Sequence, residues 1–194
     1  DPSVFNDMDR SAARLADAVE AQEAVTIYGD YDVDGATSAA LLIRLLRMLG
    51  LEAGHYIPDR LMEGYGPSGE ALVRIGDAGS RLIVTVDCGA MAFDALEQAR
   101  QAGLEVIVVD HHKCAPELPS AWALINPNRL DEVDEAAAHG HLAAVGVAFL
   151  LGAALIRECE FGALPCEHAR DAPGNGTIVG DAHNKTTFAR HDRT

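Results

Sequence analysis

The stretch YGDYDVDGATS, residues 28–38, places Asp30, Asp32 and Asp34 at every second position and follows them at once with Gly35. Three carboxylates within five residues repel one another, and part of the set protonates unless a cation sits among them. Two more segments carry related residues. Asp87 closes the apolar run LIVTV, and Asp110, His111 and His112 close VIVV. Hard carboxylate oxygens mixed with imidazole nitrogens suit Mn²⁺ or Mg²⁺, with Zn²⁺ less favoured because no thiolate is clearly placed among them. Cys88 adjoins Asp87, but alternation along a strand points it to the opposite face.

Another metal motif opens with the same wording. An EF-hand calcium loop begins Asp-x-Asp-x-Asp-Gly and takes a bidentate Glu at its twelfth position. Counted from Asp30, that position is Leu41, and an apolar strand precedes the loop where an EF-hand requires a helix. Calcium-sensor chemistry is set aside on both counts.

The elements that must position these residues are legible as alternating short apolar runs and amphipathic stretches. Residues 24–29, 53–58, 81–89, 104–112 and 122–126 read as strands of a continuous Val/Ile type or shorter. Residues 36–50, 68–79 and 91–103 read as helices, the first with Ala40, Ile43, Leu46 and Leu49 on its apolar face and Gly50 as its stop. This alternation predicts an α/β fold: a parallel β-sheet flanked by helices on both faces, with right-handed crossovers. Sites in such sheets form at the carboxyl ends of the strands. Five aspartates and two histidines therefore converge on one rim.

Composition bounds the function. A chain of 194 residues with 48% hydrophobic residues is long enough for one sizeable core. Lys+Arg of 15 against Asp+Glu of 30, a net charge of −15, argues against attachment to duplex DNA or anionic membrane through a basic surface. Nucleic acid stays open as a substrate, because bound divalent cations reverse the local potential. The apolar run from Leu142 to Ile156 is shorter than the roughly 20 residues of a membrane span, and reads as a buried helix. The acidic beginning DPSVFNDMDR has no signal-peptide pattern, and four irregularly spaced cysteines suit reduced thiols in the cytoplasm.

Taken together, DYDVDGATS, VDCG and VDHH resemble, in order, the three motifs of the DHH phosphoesterase family, most closely its RecJ branch of single-strand DNA 5′→3′ exonucleases. PDRLMEGYGPS (58–68) and GVAFLL (146–151) are similar to further RecJ segments. The resemblance implies a catalytic domain over residues 1–157 with a two-ion Mn²⁺ or Mg²⁺ centre that hydrolyses phosphodiesters of single-stranded nucleic acid. It assigns Asp32, Asp34, Asp87 and His111 to the metal, with Asp87 bridging, and adds Asp30 as a further acidic position. It makes Asp110 the partner that orients His111, and sends His112 to the scissile phosphate; neighbouring side chains at the end of a strand are expected to diverge, which suits two different roles.

Substrate contacts are expected from Arg60 and the EGYGPS loop. Gly66, like Gly64, permits close backbone approach, Tyr65 offers a ring for a base, and Ser68 is placed to cap a helix whose N-terminus binds phosphate. By itself this segment reads as a turn with an exposed tyrosine; the resemblance shifts it toward substrate. Arg129, in NPNR, is a weaker candidate for phosphate. Two alternatives remain: a DHH phosphodiesterase of short oligoribonucleotides or cyclic dinucleotides, and a catalytically weak binding module of the same fold.

After about Arg157 the resemblance stops. Residues 158–194 have few aliphatic residues and no regular period, so an irregular tail is expected. The family's last metal-binding Asp has no clear counterpart, with Asp171 and Asp181 as candidates by distance. Cys159, Cys166, His168 and His183 fit no standard zinc spacing.

Overall fold

The computed structural model describes residues 1–161. The expected tail, its candidate aspartates and most of the possible zinc ligands lie outside the described residues. The boundary placed at residue 157 falls inside the last helix, which runs to Phe161.

Five strands form one parallel sheet: β1 (Val25–Gly29), β2 (Gly54–Tyr56), β3 (Leu82–Val86), β4 (Glu105–Val109) and β5 (Ala123–Ile125). Their spatial order is β2-β1-β3-β4-β5. The chain therefore moves outward from β1 to one edge, then returns to β3 on the other side of β1. The direction of winding reverses between β1 and β3. At such a reversal the loops leaving two neighbouring strands part company and open a crevice at their carboxyl ends.

Seven α-helices and a 3₁₀ turn (Pro2–Val4) complete the described fold: α1 (Met8–Ala21), α2 (Val33–Met48), α3 (Arg60–Glu63), α4 (Gly69–Asp77), α5 (Phe93–Gln101), α6 (Asp134–Ala137) and α7 (Ala144–Phe161). Alternate side chains of each strand enter opposite cores, as the period of two demands. Ile27, Val84, Val86, Ile107 and Ile125 pack against α1, α2 and α7, while Tyr28, Ile83, Val106, Val108 and Leu124 pack against α4 and α5. Each fully buried aliphatic side chain contributes roughly 1.5–3 kcal/mol. Covering on both faces is why the strands read as unbroken apolar runs.

The five expected strands and three expected helices are present, with shifted bounds. The segment from Leu142 to Ile156 lies almost wholly within α7, and no helix among the described residues is long and apolar enough to cross a membrane. Helix α1, which buries Met8, Ala12, Leu15 and Val19, has no counterpart in the sequence reading.

The buried face of α2 keeps Leu46, with Ile43 and Leu49 half-buried against the same core, and is corrected at Ala40. It carries Gly35, Ser38, Ala39, Leu42 and Leu46, and Ala40 faces solvent. The cause is at the start of the helix: a Cβ on Gly35 would lie 2.5 Å from the Asp30 carbonyl oxygen, so only glycine allows this turn to rest on β1. That contact sets the rotation of the whole helix.

Candidate metal centre

Three strand ends build the centre, and each repeats one backbone device. The amide of Asp30 donates to the Val86 carbonyl (3.3 Å), that of Asp87 to Val109 (3.0 Å), and that of Asp110 to Ile125 (3.0 Å). Each aspartate thus adds one more rung between its own strand and the next, and its side chain stands at the crevice with a fixed backbone. Asp30, Asp87 and Asp110 are all buried.

Asp87 is held in the left-handed region with φ 62°. Asp tolerates that region better than most residues, yet such a conformation still costs about 1–2 kcal/mol. It turns the chain out of β3 and lets the carboxylate serve two groups at once. Asp30, Asp32 and Asp87 offer oxygens within 4.8 Å of one another, and so do ligand atoms of Asp87, His111 and His112. Asp87 is common to both clusters.

The loop after β1 orders the rest. Asp32 caps α2 by accepting from the Gly35 amide at 3.0 Å, and that bond holds its carboxyl below the usual range. Asp34 reaches across to α7: its Oδ2 accepts from Ala144 N and its Oδ1 from Val145 N, both at 2.8 Å.

His111 and His112 are fixed by different partners. His111 Nδ1 lies 3.0 Å from the Leu142 carbonyl, which can only accept, so Nδ1 carries the proton. Its Nε2 then points at Asp87 Oδ1 (3.3 Å) and Asp34 Oδ2 (3.7 Å). His112 Nδ1 instead pairs with Asp110 Oδ1 at 2.7 Å. That bond raises the His112 pKa; burial opposes the charge of Asp110, yet the His112 ring and the Ala90 amide hold its carboxyl below the ordinary range.

The donor set fits a divalent cation. Buried Asp30 Oδ1 and Asp87 Oδ1 have no hydrogen-bond partner, and the latter lies 3.3 Å from His111 Nε2. Burial, followed by the charges of Asp34 and Asp32, pushes the Asp87 carboxyl up to about 7. Burial, with Asp32 adding to it, likewise raises Asp30. Acceptors converging on one point without donors call for positive charge between them.

The model of the DHH family, N-terminal domain, matches residues 24–169. The chain belongs to the DHH family. That match runs past Arg157, where the sequence reading ends the resemblance. Among curated proteins, the single-stranded-DNA-specific exonuclease RecJ of Bacillus subtilis (strain 168) is 41% identical over 158 residues, which cover 81% of this chain and 20% of that protein. A solved exonuclease RecJ bound to manganese superposes with a TM-score of 0.70 at 34% identity, over 84% of this chain and 40% of that one. RecJ in complex with Mn²⁺ from Thermus thermophilus gives 0.66 at 30% identity, over 80% of this chain and 22% of that one. The chain thus spans 20% of the length of its Bacillus relative.

Within this DHH domain the structure gathers Asp30, Asp32, Asp34, Asp87, Asp110, His111 and His112 around one crevice. Tyr65 joins them: its hydroxyl donates to the Asp87 carbonyl and stands 3.3 Å from His112 Nδ1, with the two rings edge to face. Gly66, at φ 79°, accepts the buried Tyr28 hydroxyl on its carbonyl at 3.0 Å, which pins the loop to β1. Ser68 caps α4 through the Ala71 amide at 3.1 Å, as expected. The Arg60 guanidinium lies over the Tyr31 ring, 4.8 Å from its centre. A cleft of about 250 Å³ opens beside His112, between Tyr65, Pro67, Ala90 and Met91.

Three expectations are corrected. Arg129 is buried and pairs with Asp131 (2.7 Å), Asp7 (2.9 Å) and the Leu124 carbonyl, so its guanidinium braces β5 against the start of α1 and is not offered to phosphate. Asp110 does not reach the His111 ring; it holds the His112 ring and the amides of both histidines, and the Leu142 carbonyl orients His111. Nor do the two rings diverge. Their centres are 4.6 Å apart, because β4 ends at Val109 and strand alternation no longer applies beyond it.

Sequence reasoning missed Asn126 and Asn128. Asn126 Nδ2 donates to the His112 carbonyl at 2.8 Å, its Oδ1 accepts from the Asn128 amide at 2.8 Å, and Asn128 Nδ2 donates to the His111 carbonyl. A signal was present. Asn126 directly follows β5, the place that Asp30, Asp87 and Asp110 occupy on their own strands.

Proposed function

We propose that the chain is the N-terminal catalytic portion of a RecJ-like exonuclease, which hydrolyses phosphodiester bonds of single-stranded DNA from the 5′ end and works in the cytoplasm. One observation carries the reading: Asp87 stands at the reversal of the sheet between Asp30 and Asp32 on one side and His111, with Asp34 beside it, on the other, in a chain 41% identical to a RecJ. Two Mn²⁺ or Mg²⁺ ions suit this oxygen-rich set. Asp30, Asp32 and Asp87 would hold one, and Asp34, Asp87 and His111 the other. When bound, such ions supply a nucleophile at neutral pH and neutralise charge that develops at phosphorus.

The chain's own residues have separate tasks. His111 donates its Nδ1 proton to the Leu142 carbonyl, which leaves Nε2 as the ring atom that would meet the metal. His112, paired with Asp110, favours the imidazolium and leaves Nε2–H as a donor toward a phosphate oxygen. Tyr65 and Arg60 stand at the mouth of the crevice for base and phosphate, and Gly66 keeps the loop close. Electrostatic attraction must come from the metal centre, since the chain itself carries −15.

Incubation with Mn²⁺ and single strands labelled at the 5′ or 3′ end tests this. Mononucleotides released from the 5′ end are expected. Cleavage restricted to di- to tetranucleotides would instead favour the short-substrate phosphodiesterase, and binding without cleavage the weak binding module.

A further inference from the structure

Residues 142–145 touch the centre from outside the three motifs. The Leu142 carbonyl receives His111 Nδ1 at 3.0 Å, and the amides of Ala144 and Val145 each donate to one oxygen of Asp34 at 2.8 Å. Both amides belong to the first turn of α7, where helix geometry leaves N–H groups without internal partners. Asp34 lies 110 and 111 residues earlier in the chain, so α7 is capped by another element. A carboxylate bonded through both oxygens cannot rotate. It keeps one lone pair on each oxygen, and Oδ2 directs its remaining face to within 3.7 Å of His111 Nε2.

A second feature points to what this clamp serves. Asp87, whose side chain is 3% exposed, leaves Oδ1 without a hydrogen-bond partner, 3.3 Å from the same His111 nitrogen. Asp34, Asp87 and His111 therefore converge as three possible ligands, two of them held in place by one four-residue segment of backbone. Helix α7 is itself anchored in the core, with Val147, Ala148, Leu151 and Leu155 buried among α1, α2 and the sheet. The position of these ligands is thereby tied to the longest helix among the described residues.

We propose that residues 142–145 are a positioning segment for the metal: their backbone sets the orientation of Asp34 and His111, so that metal occupancy and the docking of α7 are one coupled equilibrium. The inference rests on the metal reading above. Groups that orient metal ligands typically change affinity by about 10–100-fold when lost. Because linkage is reciprocal, a bound metal must stabilise the start of α7 by the same free energy that α7 lends to the metal.

Ala144→Pro tests the segment. Ala144 is the first residue of α7, a position where proline is accommodated, and the change removes one N–H to Asp34 without altering any side-chain ligand. Calorimetric titration with Mn²⁺, well below the melting temperature of each protein, is expected to show at least tenfold weaker binding in the variant. Wild-type affinity in a folded Ala144→Pro would overturn the proposal. Hydrogen exchange of the wild-type chain tests it even if that variant does not fold. Mn²⁺ should slow exchange of the Ala144 and Val145 amides about tenfold or more, and exchange unchanged by Mn²⁺ that binds would also overturn it. Absence of any Mn²⁺ binding by the wild type would reject the metal reading itself, and this inference with it.

Discussion

The side chain of Asn126 donates to the main-chain carbonyl of His112 at 2.8 Å, fixing from behind a histidine whose ring faces the crevice. Asn126 is fully buried and lies next to β5, so this bond fastens the loop after β4 to the neighbouring strand. Asn126→Ala would leave the His112 carbonyl without its donor. A loss of about 1–3 kcal/mol in urea denaturation is expected. Turnover should fall further than stability predicts, since the ring loses its register with the crevice; unchanged activity in the folded variant would deny Asn126 that role.

Asp87→Asn separates the ligand from its scaffold. Asparagine has the same shape and tolerates φ near 62°. It removes a charge that sits buried beside Asp34 and Asp32. The metal-free variant should melt no lower than the wild type at pH 8, while the rise in melting temperature produced by Mn²⁺ disappears. A variant still stabilised by Mn²⁺ to the wild-type extent would remove Asp87 from the shared position.

Metal and proton compete for the same carboxylate. The folded-state pKa of Asp87 stands near 7 against an unfolded value near 3.8. The metal-free fold therefore holds a proton that the unfolded chain has lost, and this contribution to stability fades as pH rises from about 4 to about 7. Mn²⁺ requires the carboxylate. Its stabilising effect should accordingly grow over the same interval, measured as the melting-temperature shift at pH 5.5 and at pH 8. A shift that is equal at both would contradict this titration.

Arg129 should matter for folding and not for substrate. Removing one partner from a buried ion pair costs about 3–5 kcal/mol, and the lower end applies here because Asp131 is more than half exposed and regains water. Arg129→Ala is expected to lose about 3 kcal/mol by denaturant titration. Its affinity for a single-stranded oligonucleotide, measured where the variant remains folded, should be unaltered.

What the sequence disclosed depended on how local the cause was. Continuous Val/Ile runs marked the central strands because each is buried on both faces, and the polar residue that ends each run followed directly. Ala40 was misplaced on α2 because the start of that helix is decided by a backbone contact between Gly35 and Asp30, which no hydrophobic period records. Arg129 looked like a charge on a turn because its partner Asp7 is 122 residues away. The environments of His111 and His112 differ for a reason that the strand pattern does not contain. It resides in what each Nδ1 meets, a carbonyl for one and a carboxylate for the other.

The rungs formed by Asp30, Asp87 and Asp110 give the centre a ruler. Neighbouring strands of any sheet stand about 4.8 Å apart, and these aspartates leave the sheet while still bonded across that interval. Distances between their carboxylates are therefore inherited from the pitch of the backbone, with only one methylene of side chain to absorb error. Glutamate keeps the charge but breaks the measure: its extra carbon would carry the oxygens past the point where the strands meet. The separation of Asp30 from Asp87 is thus a property of the sheet, and only the ligands off its rungs, Asp32, Asp34 and His111, leave the centre room to adapt to another ion.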